Sequence, residues 1–299
     1  MEIVRRILRG VFSLWLAYTL LFFLLRILPG DAITSQMIDS GAGAETIAAR
    51  RAALGLDQPL AAQYFDAVFR LARGDFGVSL TNGRAVSETI AQNLPPTVAL
   101  ALGAIGVAIV AGLALGVWSA LHTLGSAAIS LILSVPILWT GTIAVYVFSA
   151  QLNLFPSGGA GRLSQLILPV LVLGINTAGA IGTVFAAGLR EARYADYAIT
   201  ARAKGLNHSH VWVRHLAPNT FVTLIHVIAL QFGFLLGGVV VTESIFSRPG
   251  LGRALLSGVL AGDYPVVQGI ALVIAMSYVV INASADLLTA VVDPRVRAQ

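Results

Sequence analysis

The chain has 299 residues, 57% hydrophobic and only 11% charged, with a formal net charge of +5 and no cysteine. A soluble globular chain carries about a quarter charged residues, so an ordinary soluble domain is excluded. The lack of cysteine excludes disulfides and thiolate metal sites.

The shortfall in charge is concentrated. Residues 89–161, 163–189, 215–242 and 264–285 contain no Asp, Glu, Lys or Arg. Crossing the hydrocarbon of a bilayer takes about 20 apolar residues, and a charge at its centre costs roughly 2.5–3.5 kcal/mol. Runs of this length therefore read as membrane spans. Six are predicted, at 10–28, 95–121, 126–150, 165–189, 219–242 and 265–289, giving an all-α polytopic membrane protein.

The first span follows Arg5, Arg6 and Arg9 and ends near Arg26, where a long basic side chain can snorkel. Its hydrophobic run is too long for a signal peptide, and no small-x-small cleavage site follows. An insert then covers 31–93. Within it, "LGLDQPL" (54–60) reads as a helix stop with Gly55 as the cap and Pro59 beyond. Residues 63–71 read as a short amphipathic helix, and "GDFGVSLTNGR" (74–84) is rich in turn formers.

The second and third spans divide near 122–126. Pro136 and Pro169 are expected to kink or start helices. Small residues recur every fourth position at Ala108, Gly112 and Gly116, at Gly174, Ala178 and Gly182, and at Gly233 and Gly237. That spacing lets helix backbones approach closely in lipid. The organisation predicted is a tail and first span (1–30), an external insert (31–93), and a five-helix core (94–299) carrying a basic loop at 190–218.

Orientation follows from the basic residues of short loops. Arg5, Arg6 and Arg9, then Arg190, Arg193, Arg202, Lys204 and Arg214, then Arg295 and Arg297 all fall on one side of a six-span chain. That side is the cytoplasm, so both termini are expected there and the insert outside. The positive charge then reflects orientation towards membrane lipid, and no nucleic acid is expected as a partner.

No engine is visible. Nothing matches the Walker A pattern or H-E-x-x-H. His208 and His210 are two apart, on different faces of a helix. The expectation is no catalytic, cofactor or metal site in this chain. Glu243 and Asp286 sit at span ends, while His226, Gln231, Asn176 and Asn282 are the polar groups within spans. Asn176 and Gln231 are candidates for lining a pathway. A stand-alone secondary transporter would place coupling carboxylates deep in the membrane; the span centres have none, so energy must enter from elsewhere.

The basic loop supplies an entry point. Tyr194, Tyr197, Ala198 and Ala201 form one apolar helical stripe. Arg202 and Lys204 complement the helix dipole, and Gly205 suits the left-handed position after a helix, with Leu206 folding back. Asn207 or Ser209 can cap a short second helix that carries Trp212 and Leu216 and ends at Pro218. Helix, glycine turn and short helix outside the membrane make a docking element for a cytoplasmic partner.

"EARYADYAITARAKGL" (191–206) resembles the EAA loop of binding-protein-dependent ABC-transporter permeases, in particular the dipeptide/oligopeptide/nickel branch. "LRILPGD", "GDFGVSL", "ESIFSRPGLGR", "DYPVVQG" and "DLLTAVVDPRVR" resemble segments of the same branch in the same order. Departures are Arg193 in place of the motif's second Ala, Ala217 and Pro218 before Asn219, and Arg248 where an aromatic is frequent. The resemblance implies a type I importer permease in a bacterial inner membrane, forming half of a pathway for peptides, with nickel or a metal chelate as the alternative cargo. It implies a second homologous permease subunit in a heterodimer, two ATPase subunits holding ATP and Mg, and an external solute-binding protein. By the same resemblance Glu191, Ala192, Asp196, Ala201, Ala203, Gly205, Leu206, Val211 and Leu216 couple to the ATPase, and Glu243, Phe246, Pro249, Gly250 and Gly252 form an external loop motif.

Overall fold

The computed structural model of the protein describes residues 2–27, 43–194 and 217–292. Its helices are α1 (Glu2–Ile27), α2 (Ala44–Ala53), α3 (Leu60–Ala72), α4 (Val86–Leu121), α5 (Thr123–Ser134) and α6 (Ile137–Ala144), which runs on as a π-helical stretch (Val145–Gln151). They continue as α7 (Ser164–Tyr194), α8 (Ala217–Gly238), α9 (Val240–Ile245), α10 (Leu251–Ala261) and α11 (Tyr264–Val292). Among the described residues the only β feature is an isolated antiparallel bridge between Val78 and Ala85.

A helix stands at each of the six predicted places, but not every one is a full straight span. Leu8–Ile27, Val86–Leu121, Ser164–Ala192 and Tyr264–Thr289 are long and apolar enough to cross a membrane. The third predicted span is a pair, α5 and α6, bent by 90°. Pro136 is the cause: it disfavours a helical conformation at Val135, which is extended at ψ 117°, and has no N–H to continue α5. The fifth predicted span is α8, whose apolar stretch among the described residues is Thr223–Gly237.

The chain divides into two units: Met1–Thr97 with Pro249–Met276, and Val98–Arg248 with Ser277–Gln299. The stretch Pro249–Met276, grouped by sequence with the core, thus packs with the tail, first span and insert. One division falls inside α4, just past Pro95 and Pro96, which remove two successive helix donors.

In the first unit the insert is built as its punctuation predicts. Gly55 adopts φ +68°, its N–H reaches Ala52 O at 3.0 Å, and Leu56 N reaches Arg51 O at 3.0 Å. These paired bonds are a Schellman stop for α2. Tyr64 of α3 lies edge-on to Phe22, centroids 5.3 Å apart, and its hydroxyl is 2.8 Å from Thr19 Oγ1. Arg26, at the end of the first span, packs against its own helix and the insert: its guanidinium lies 3.4 Å from the Phe22 ring centroid and its Nε donates to Gln63 Oε1 at 3.2 Å.

In the second unit α4 and α7 meet along the predicted small-residue stripes. A Cβ on Gly112 would sit 2.8 Å from Ile181 Cβ and 3.0 Å from Ala178 O, and one on Gly174 would sit 2.8 Å from Ala104 O. Leu100, Ala104, Ala108, Ile181 and Phe185 belong to the same buried cluster, which α8 extends with Leu224 and Leu235. Lipid tails are as apolar as these side chains, so contact area and close backbone approach, rather than expulsion of water, hold such helices together.

Candidate functional site

The loop expected to couple to an ATPase enters the described structure only at its base. Asp196, Ala201, Ala203, Gly205, Leu206, Val211 and Leu216 lie outside the described residues. Glu191 and Ala192 end α7: Glu191 is exposed, and Ala192 is buried in the α4–α7–α8 cluster beside Leu189. The loop therefore leaves a helix whose last turn is anchored by packing.

A second anchor was not anticipated. Arg190 donates through Nη2 to Ser119 O at 3.0 Å, Ser119 Oγ at 2.8 Å and Ser126 Oγ at 3.0 Å. The two serine hydroxyls are themselves 2.9 Å apart. Ser119 closes α4 and Ser126 opens α5, so one guanidinium ties the loop's base to the turn between those helices. His122 is extended there, and a Cβ on Gly125 would meet Ser119 N at 2.5 Å, so only glycine fits the tight turn. In the sequence Arg190 read simply as one of the loop's positive charges.

The external loop motif is distributed over both units. In the second, Glu243 is 1% exposed, Phe246 is fully buried and Arg248 is 4% exposed. Phe246 packs with Ala144 and Leu168, and its carbonyl accepts from Gly159 N at 3.1 Å. Arg248 N donates to Glu243 O at 2.8 Å, closing the turn after α9. The Arg248 side chain donates through Nη1 to Gly159 O and Gln165 O, both at 3.0 Å. Burial pushes the Arg248 guanidinium below its ordinary range, and the nearby Glu243 carboxylate opposes that shift. Arg248, noted only as a departure from an aromatic, is thus the residue that fastens the loop before α7.

In the first unit Pro249 is exposed, whereas Gly250 and Gly252 are buried at the start of α10. Leu251 N donates to Thr97 Oγ1 at 2.8 Å, which satisfies one of the helix's free N-terminal donors. The motif that follows, "DYPVVQG", contributes Asp263. This carboxylate is 2% exposed and accepts from Ser79 Oγ at 2.5 Å, Leu80 N at 3.1 Å, Thr81 N at 3.3 Å and Thr81 Oγ1 at 2.9 Å. Two quoted motifs distant in the chain are thereby one structural element. The sequence held a signal, an acid beside an apolar run, but not its partner.

The pathway candidates differ. Asn176 lines an apolar groove of about 420 Å³ with Leu131, Val135, Phe148 and Ile175, and its Nδ2 is 3.4 Å from the carbonyl of Val135, the extended residue between α5 and α6. Gln231 is half-buried on α8. His226 Nε2 lies 3.5 Å from Asp286 Oδ1, both about half exposed. Among the described residues no group of three or more His, Cys, Asp or Glu could hold a metal ion.

Against known proteins, residues 104–298 match the family described as binding-protein-dependent transport system inner membrane component. Residues 1–101 match the N-terminal family of the same membrane components. A glutathione transport system permease protein of Salmonella typhimurium is 34% identical, over 99% of this chain and 98% of its own length. A putative peptide transport system permease protein of Brucella abortus is 36% identical, over 99% of this chain and 98% of its own. Among solved structures, an inward-facing MetNI methionine ABC transporter aligns with a TM-score of 0.58 at 17% identity, over 69% of this chain and 96% of that one. An amino acid ABC transporter aligns at 0.51 and 17%, over 70% and 94%; at such identities the likeness concerns the fold.

Proposed function

The chain belongs to the family of binding-protein-dependent transport system inner membrane components, and from that premise we propose that it forms half of the pathway of an ATP-driven peptide importer. It is a multi-pass membrane permease subunit of the bacterial inner membrane rather than an enzyme. The observation that carries the reading is the match to both family models across almost the entire chain, together with full-length relatives whose names specify glutathione, itself a short peptide, and peptides.

In this reading the missing engine is supplied by partners. Two ATPase subunits hold ATP and Mg, a second related permease completes the pathway, and an external solute-binding protein delivers the cargo to the outer loops. Both termini and the 190–218 loop face the cytoplasm. The loop from Glu191 and Ala192 through Gly205 to Leu216 docks on an ATPase. Closure of the ATPases moves it, and the anchored end of α7 passes that motion into the membrane. Asn176 and Gln231 are the polar groups proposed to face the pathway. The Arg190 bonds to Ser119 and Ser126 support this reading, because a lever needs a stiff base.

Gly205→Val tests the coupling. A side chain disfavours the left-handed turn by roughly 1 kcal/mol or more. The variant is expected to insert normally and to lose uptake of a radiolabelled dipeptide while the ATPases still hydrolyse ATP. Wild-type uptake in that variant would refute the assignment. Co-purification of a P-loop ATPase and a second permease checks the partners independently.

A further inference from the structure

The first unit contains a feature that the proposed coupling and pathway residues do not use. The start of α11, the C-terminal half of α1 and the insert line an open cavity of about 350 Å³. That is within the range of about 300–1,000 Å³ occupied by small-molecule sites. Tyr18, Arg26, Gln63, Asp66, Arg70 and Gln268 are among its lining residues.

Two of these make the lining selective. Arg26 is held in one plane by its place 3.4 Å over the Phe22 ring and by donation to Gln63 Oε1 and Phe22 O, each at 3.2 Å. A guanidinium has five N–H donors, and two bonds do not exhaust them. Among the described residues no carboxylate pairs with it: Asp66, the acid on the same insert helix, is engaged by Arg70 at 2.8 Å. Gln268, from α11, is 6% exposed, and its Nε2 has no hydrogen-bond partner. A buried amide donor left unpaired bears its whole desolvation penalty. An unsatisfied amide calls for an acceptor and a fixed guanidinium for one with negative charge, on a cavity whose two lining carboxylates are engaged elsewhere, Asp66 by Arg70 and Asp75 by Gly77 N.

We propose that this cavity binds a small oxyanion, a carboxylate or a phosphate, with Arg26 and Gln268 as its donors. The oxyanion comes either from a soluble molecule or from a lipid headgroup that reaches the cavity beside α1. This assignment is independent of the transport reading, since it needs neither ATPase nor cargo delivery.

The experiment uses the full-length chain purified in a neutral sugar detergent, with its thermal unfolding midpoint followed as sodium acetate or inorganic phosphate is titrated against chloride at constant ionic strength. A parallel arm compares nanodiscs of phosphatidylglycerol with nanodiscs of a neutral glycolipid. Saturable stabilisation by acetate or phosphate identifies a soluble source; stabilisation only by phosphatidylglycerol identifies the headgroup. In either case Arg26→Gln and Gln268→Met are each expected to raise the half-saturating concentration at least tenfold, and Gln268→Glu to abolish the effect. Should Arg26→Gln fail to fold, the two Gln268 variants carry the test. Absence of stabilisation by every probe, or equal stabilisation of wild type and the Gln268 variants, overturns the proposal.

Discussion

In the first unit one buried carboxylate, Asp263, accepts four hydrogen bonds from residues 79–81, more than 180 positions away. In the second, α4 and α7 meet through Gly112, Gly116 and Gly174, where an added side chain would strike Ile181, Phe185, or Val107 and the Ala104 carbonyl, and through Gly182, where the fit is tight. The difference follows from what each region must satisfy. The turn at 74–84 has backbone donors outside any helix, and such groups need partners when buried. One carboxyl group with two oxygens satisfies several at once and fixes their register. Within the spans the helices already satisfy their own backbones, so close approach is all that remains to specify packing.

Variants can break this contrast. The largest expected effect is at Asp263. Asp263→Ala leaves the donors of Ser79, Leu80 and Thr81 without their acceptor, and at 1–3 kcal/mol per unsatisfied group the loss should reach about 4 kcal/mol. Denaturant unfolding in detergent would measure it; a loss under about 1 kcal/mol would mean that the turn holds itself. Next is Gly112→Leu, which forces α4 and α7 apart for a cost of about 2–3 kcal/mol. The same titration should register it, and a variant as stable as wild type would show that the two helices are free to separate.

A smaller effect is expected at Gly55, where φ is +68°. Gly55→Ala should cost about 1 kcal/mol and should appear first as faster proteolysis of the 43–72 segment. The smallest effect on stability is expected for Arg190→Ala, whose side chain is exposed; the unfolding free energy should change by no more than about 0.5 kcal/mol. Its consequence should instead be functional, a fall in uptake per ATP hydrolysed. An unchanged ratio would remove Arg190 from the transmission route and leave the anchoring to Ala192 and the packed core.

Much of this was legible one residue at a time. Gly55 was readable as a helix stop because a left-handed residue followed by a proline has few other uses. Pro136 was readable as a break because the missing donor is local. The spans were readable because exclusion of charge depends on composition alone. Arg248 and Asp263 were not readable as fasteners: each is satisfied by atoms far away in the chain, and nothing in "SRPG" or "GDYP" names Gly159, Gln165 or Thr81. The partners of Arg26 were hidden for the same reason: its local setting at a span end does not name Phe22 or Gln63.

The amino-acid order alone determined that this chain belongs in a membrane, that its apolar runs are helical and which of its loops are basic. These are properties of composition and of short-range periodicity, set by hydration and by backbone geometry. Only the tertiary structure decided that the third hydrophobic run turns through 90°, that Pro249–Met276 packs with the insert, and that Arg190 ties the end of α7 to the turn between α4 and α5. Those outcomes depend on which distant groups can satisfy one another, and that is a matter of three-dimensional proximity.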